Sequence, residues 1–215
     1  MRRGVFAVAL LLLACARPQS KFESVEGGVV SAGVYKNSAL GLSFQTPSGL
    51  VAVSFDALHA INEERARRAT ETILAPETVQ ATGWLHPPVV KYIFYASQAG
   101  KWDGRHTTVP SVEMRVFTAR RGGLTFDKFK AHTRDLATQS GQKLLGEPSR
   151  TTLGGHPFFR ADLAAASDSH DAYESELFTP IGDWEFWIDI YAQSPEELQR
   201  VAQFLDGVRI DVPRQ

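Results

Sequence analysis

The chain has a single cysteine among its 215 residues, Cys15. No disulfide can form within it, so its fold must be held by packed side chains alone. The surroundings of Cys15 also set aside the first stretch of chain. Arg2 and Arg3 are followed by an unbroken apolar run, Val5 to Leu13, and then by the small residue Ala14. A basic start, a short apolar run and a small residue before a cut are the parts of an export signal. The run is too short for a bilayer span, which needs roughly 20 apolar residues. A lone thiol left in the mature protein would be an odd choice for an oxidising compartment.

Leu12-Leu13-Ala14-Cys15 resembles the lipobox of bacterial lipoproteins. That resemblance implies that Cys15 is acylated and becomes the mature N-terminus. Several acyl chains, at roughly 0.8 kcal/mol per buried CH2, hold far more firmly than one. Ala16 offers no acidic retention residue after the cysteine, so the expected location is the periplasmic face of an outer membrane, if the cell has one. The alternative is plain secretion through a cleavable signal. We divide the chain into a signal at 1–14, a lipidated N-terminus and flexible tether at 15–33, and one domain at 34–212. The tether reading comes from the weak apolar periodicity and three glycines between Ser20 and Gly33.

Charge narrows the partners. Loss of Arg2 and Arg3 with the leader takes the formal charge from −1 to −3. There is no clustered basic footprint for nucleic acid and no polybasic surface for anionic lipid.

Beyond the tether, Leu40, Leu42 and Phe44 alternate with Gly41, Ser43 and Gln45 at strand period. Ser54 caps a helix to about Thr72, with a charged, solvated face of Glu63, Glu64, Arg65, Arg67 and Arg68. Val89 to Ala96 is apolar on both faces, as an inner strand requires. Val112, Met114 and Val116 mark the next strand, and Thr125 starts a helix with Phe129 and Leu136 on its stripe, ending at Gly141. Gly154-Gly155 turns a hairpin into His156 to Ala164. Ala172 to Thr179 and Trp184 to Ala192 follow as strands; the second puts Phe186, Ile188 and Ile190 on one face and Glu185, Trp187, Asp189 and Tyr191 on the other. Ser194, Pro195 and Glu197 form a capping box for a helix with Leu198, Val201 and Leu205 inward, and Val208 to Ile210 makes a last short strand. The order predicts an α+β fold, a largely antiparallel sheet flanked by helices on its faces.

VYKNSALGLSFQTPSG from Val34, the TTLGGHPFFRADL hairpin and the closing SPEELQRVAQFLDGVRI resemble PsbP-like domains. The resemblance covers roughly residues 34–212 and implies an α/β/α sandwich. That superfamily has no shared catalytic motif to carry over, and it includes many bacterial lipoproteins.

Chemistry is sparse in the linear sequence. The six histidines are scattered, HExxH and GxSxG are absent, and Cys15 is committed to the anchor. Ser167 to Asp171 is the densest polar cluster and reads as a turn, with a cation site the other possibility. Glu174/Glu176 and Glu185/Asp189 each line one strand face; we read them as a polar sheet face paired with Arg115 or Arg160, with acid–base work the alternative. Trp187 and Tyr191 read as core under a helix. Trp102, Trp84 and Arg105 are the candidate partner contacts, since an exposed aromatic beside an arginine has the composition of an interface anchor. The expectation is a membrane-anchored binding or assembly module, not an enzyme, with no metal or cofactor, bound to the bilayer through Cys15 and to an envelope protein. Binding of a small molecule or lipid in an apolar cleft is the alternative, with hydrolysis by sheet-face carboxylates after it.

Overall fold

Alternating apolar residues build two antiparallel sheets in a computed structural model that describes residues 25, 26, 28–73, 90–102, 110–118, 124–165, 173–182 and 184–211. The first sheet begins with β1 (Val29–Ser31), β2 (Val34–Asn37) and β3 (Leu42–Gln45). Then come β4 (Val51–Ala52), α1 (Phe55–Ile73), β5 (Val90–Ser97), β6 (Ser111–Thr118) and α2 (Phe126–Ser140). β7 (Gln142–Leu144), β8 (Ser149–Leu153), β9 (His156–Ala165), β10 (Tyr173–Ile181) and β11 (Trp184–Ala192) lead into α3 (Pro195–Ala202), a 3-10 turn to Gly207 and β12 (Arg209–Ile210). Among the described residues the small sheet runs β1-β2-β3-β12 and the large one β4-β5-β6-β11-β10-β9-β7, with β8 on β9. The fold is α+β, antiparallel sheets flanked by helices.

Strand period gives the large sheet two unlike faces. On the first, Phe94, Val112, Met114, Val116, Leu177, Phe186, Ile188 and Ile190 are buried against α3 and the small sheet. The close of the chain completes that core: Leu198 and Val201 of α3, then Phe204 and Leu205, pack into it. Ser194 accepts from the Glu197 amide at 3.1 Å and Glu197 reaches back to the Gln193 amide at 2.9 Å, satisfying donors that α3 would otherwise leave open. On the second face α1 covers one end and α2 the other. Phe129, Ala161, Leu163, Phe178 and Trp187 form the cluster beneath α2.

Local rules set most boundaries. Thr125 caps α2, and Gly141, at φ 69°, ends it in the left-handed conformation. Gly154 and Gly155 take φ 55° and 80°, as a two-residue hairpin needs. A Cβ on Gly154 would also meet the Val208 carbonyl at 2.6 Å, so this turn docks directly on the closing strand.

Two expectations need correction. The tether does not extend to residue 33: Val25 and Glu26 are buried, and β1 pairs with β2. Asn37 donates to the Val25 carbonyl at 2.6 Å, and Glu26 forms ion pairs with Lys91 and His59. Glycine content suggested slack, but these long-range partners supply the order. Leu136, expected in the core, is only half-buried, because it faces a cleft instead of the packed interior. Leu42, Phe44, Phe94, Val116, Phe129, Phe186, Ile188, Leu198 and Leu205 are buried as expected.

Candidate functional site

Between α1 and α2, the second face of the large sheet is left partly uncovered, and its alternation puts charged residues there. β6 contributes Glu113, Arg115 and Phe117; β10 contributes Glu174 and Glu176; β11 contributes Glu185, Trp187, Asp189 and Tyr191. Register brings them together: Glu176 stands opposite Asp189, and Asp189 opposite Glu113, so three carboxylates form one row across three strands. Like charges facing across strands are destabilising, so this row needs a compensating cation. Arg115 supplies it, donating to Asp189 Oδ2 through Nε at 2.9 Å and through a terminal nitrogen at 2.5 Å. It also lies 3.4 Å from Glu113 Oε1.

The wall comes from α2. His132, Leu136 and Ser140 recur every four residues, which places them on one stripe facing the cleft. His132 Nε2 lies 3.7 Å from Glu176 Oε1, and its ring meets Trp187 edge-on at 5.5 Å. Ser140 donates to Gln142 Oε1 at 2.7 Å, and the Gln142 amide donates to Glu174 Oε2 at 3.0 Å. The resulting cleft has a volume of about 410 Å³, within the range of small-molecule sites. Arg115, Phe117, Glu174, Glu176, Glu185, Trp187 and Tyr191 line its sheet side.

Burial makes this an uncomfortable place for charge. Desolvation pushes the Glu174 carboxyl up to about 7, against the hydrogen bond from Gln142 and helped by Glu176 nearby. Desolvation also raises Asp189 well above the usual carboxylate range, with Glu113, Glu176 and Glu174 adding to it and Arg115 opposing it. Arg115 stays protonated, held by Asp189 and Glu113. Burial, then the Glu113 carboxylate, raises the Tyr191 hydroxyl. Two polar atoms of the lining have no hydrogen-bond partner although both are buried: Glu176 Oε2 and Trp187 Nε1. Their residues are 3% and 5% exposed. A buried acceptor and a buried donor left open in one cleft are each costly. Among the described residues, no three His, Cys, Asp or Glu side chains come together as a metal site would require.

The carboxylates singled out from sequence therefore share this face, and among them Asp189 takes Arg115 as its cation. Arg160 does not join them. It sits on the opposite face and pairs with Asp162 at 3.0 Å. What linear sequence missed was the convergence itself, and the part of Gln142, Ser140 and His132; the i,i+4 spacing of 132, 136 and 140 was the available signal.

Trp102 is half-buried, edge-on against Tyr92 at 4.9 Å and Tyr95 at 4.7 Å beneath α1. A bulge in β5 at Ile93 breaks alternation and turns both tyrosines to that side. Trp84, Arg105, Cys15 and the 167–171 cluster lie outside the described residues. A second, apolar cleft of about 600 Å³ runs between the small sheet and the start of α1. Val29, Val30, Val51 and Phe55 on its wall are exposed. Among the described residues no helix is long and apolar enough to cross a membrane.

No family model matches the chain, and no curated protein matches it. Among solved structures it is similar to the solution structure of cyanobacterial PsbP (CyanoP) from Synechocystis sp. PCC 6803. The two share 13% identity at a TM-score of 0.46, over 86% of this chain and 96% of that one. The likeness is one of fold, and it is distant. The chemistry of the site rests on its own geometry.

Proposed function

We propose that the chain is an exported, lipid-anchored domain that acts by binding, with the acidic cleft over β6, β11 and β10 as its ligand site. The export signal and the lipobox-like Leu12-Leu13-Ala14-Cys15 support the location and the anchor. Support for the cleft comes from one observation above the rest: Glu176 Oε2 and Trp187 Nε1 are buried in its lining without partners. A ligand with a donor for Glu176 Oε2 and an acceptor for Trp187 Nε1 would satisfy both. An envelope protein remains the expected partner of the half-exposed edge at Trp102.

Cys15→Ser tests the anchor. The variant is expected to leave the membrane fraction and the wild type to take up labelled palmitate; a membrane-bound variant with an unlabelled wild type sinks the lipoprotein reading. For the cleft, the Trp187 indole N–H signal is followed by NMR during addition of a small-molecule library. Movement of that signal is expected, with none at Trp102.

A second reading has one observation in its favour. Glu174, raised to about 7 beside Glu176, has the form of an acid–base pair poised for neutral pH. Turnover of glycoside or ester substrates, abolished by Glu174→Gln, would replace binding by catalysis.

A further inference from the structure

Apolar side chains left in water gather at one place. Among the described residues the large ones that stay exposed are Val29, Val30, Val51, Phe55 and Leu145, and all but Leu145 line the cleft between the small sheet and the start of α1. Val29 is 60% exposed, Val51 57% and Phe55 46%. They come from three elements, β1, β4 and α1, so no single amphipathic segment announces them. The cleft they border has a volume of about 600 Å³, and no charged side chain lines it. Exposed apolar residues scattered singly need no explanation, but a group of them around one groove marks a contact. Val51 is braced there by the turn after β5, where a Cβ on Gly100 would meet its Cγ1 at 2.8 Å.

Where the chain enters the fold indicates what covers this face. Val25 is already packed in the core, so the link from residue 15 to residue 25 reaches at most about 35 Å. The cleft lining begins three residues later, at Gly28, and Val29 and Val30 follow directly. An anchor at Cys15 therefore holds the entry side of the domain, with its exposed valines, close to the bilayer. β1 and β4 each end their sheet among the described residues. Open backbone groups on a sheet edge are costly in hydrocarbon, which limits entry to the side chains. With an uncharged lining, the attraction is apolar and needs no anionic headgroup.

Resting on the lipid anchor at Cys15, we propose that this apolar rim is a bilayer-contact face. Val29, Val30, Val51 and Phe55 seat at the boundary of headgroups and acyl chains in the membrane that holds Cys15, and they fix how the domain stands on it. A contact tied to an anchor acts at the effective concentration its link sets, so a weak one suffices.

The experiment reconstitutes the full mature lipoprotein into phosphatidylcholine vesicles, with and without phosphatidylglycerol. An environment-sensitive fluorophore is attached at Val51→Cys or, as a control on exposed α2, at Gln139→Cys. Brominated lipid is expected to quench the label at 51 roughly threefold more than the label at 139, equally in both vesicles and at high salt. Val29→Asp combined with Phe55→Ser is expected to bring the quenching at 51 down to the level at 139, while palmitate uptake and thermal unfolding stay as in the parent. A wild type that takes up no palmitate and leaves the membrane overturns the anchor and this contact with it. An acylated, membrane-bound chain whose label at 51 is quenched no more than that at 139 overturns the contact alone. Quenching that requires phosphatidylglycerol or vanishes in salt overturns its apolar basis, and crosslinking of residue 51 to a protein or a second copy in place of quenching assigns the face to that partner instead.

Discussion

The two faces of the large sheet are made by the same strands and obey opposite rules. One residue along β6, from Val116 to Arg115, or along β11, from Ile188 to Asp189, crosses from a packed apolar interior to a buried cluster of charge. On the first face the apolar side chains stabilise one another: Phe158, Phe186, Ile188 and Leu177 lose water and gain contacts. On the second, desolvation of the ionised Glu174 and Asp189 carboxyls acts against the fold, and Arg115 offsets only part of it. The first face stabilises the domain. The second retains charge at a cost, and sites that keep strained protonation states are where binding and catalysis concentrate.

The sharpest way to break this contrast is Phe186→Ala. The ring is fully buried on the apolar face, and its loss is expected to cost about 3–5 kcal/mol in urea unfolding. A cost under about 1 kcal/mol would mean that this face does not carry the stability. Arg115→Met tests the charged face with nearly equal force. It leaves Asp189 buried without its cation, and the expected loss is about 3 kcal/mol or more at pH 8, smaller at pH 4.5 as the Asp189 carboxyl, raised by burial, takes up a proton. A loss equal at both pH values would show that Arg115 acts by packing alone.

Glu174→Gln should go the other way. Its carboxyl titrates at about 7 in the fold against an ordinary value of 4.5, so the folded chain holds that proton more tightly than the unfolded one. Wild-type stability is therefore undiminished below about 4.5 and falls as pH rises toward 7. The shift corresponds to about 3 kcal/mol. Glutamine cannot ionise, so the variant is expected to exceed wild type by up to that amount at pH 8 and to match it at pH 4.5. Denaturant melts at the two pH values read the difference directly. The smallest effect is expected at Trp102→Ala, where edge contacts with Tyr92 and Tyr95 under α1 are worth about 1–2 kcal/mol. A neutral result there, with loss of captured envelope protein in cells, would favour its use as a contact over its use as packing.

Much of the architecture was readable because it is local. The cap at Ser194, the glycines at 141, 154 and 155, and the alternation from Trp184 to Ala192 each act within a few residues. Such signals survive without knowledge of the rest of the chain. The N-terminal boundary was misplaced for the opposite reason. Val25 and Glu26 find Asn37, His59 and Lys91 far along the chain, and nothing in SVEGGVVSAG announces those partners. Ile93 shows the same limit within a strand, where a bulge turned Tyr95 to the side of Tyr92 against the expected period.

For the site, the amino-acid sequence alone determined which residues could share a face: Glu174 with Glu176, Glu185 with Asp189, Glu113 with Arg115. Side-chain period two leaves no freedom there. Only the tertiary structure decided that these pairs meet across β10, β11 and β6, that Arg115 binds Asp189 while Arg160 turns away to Asp162, and that α2 stops short of covering them. Those outcomes depend on strand order and on where helices dock. Strand order and docking are set by the sum of many weak long-range contacts, and no local pattern of residues encodes that sum.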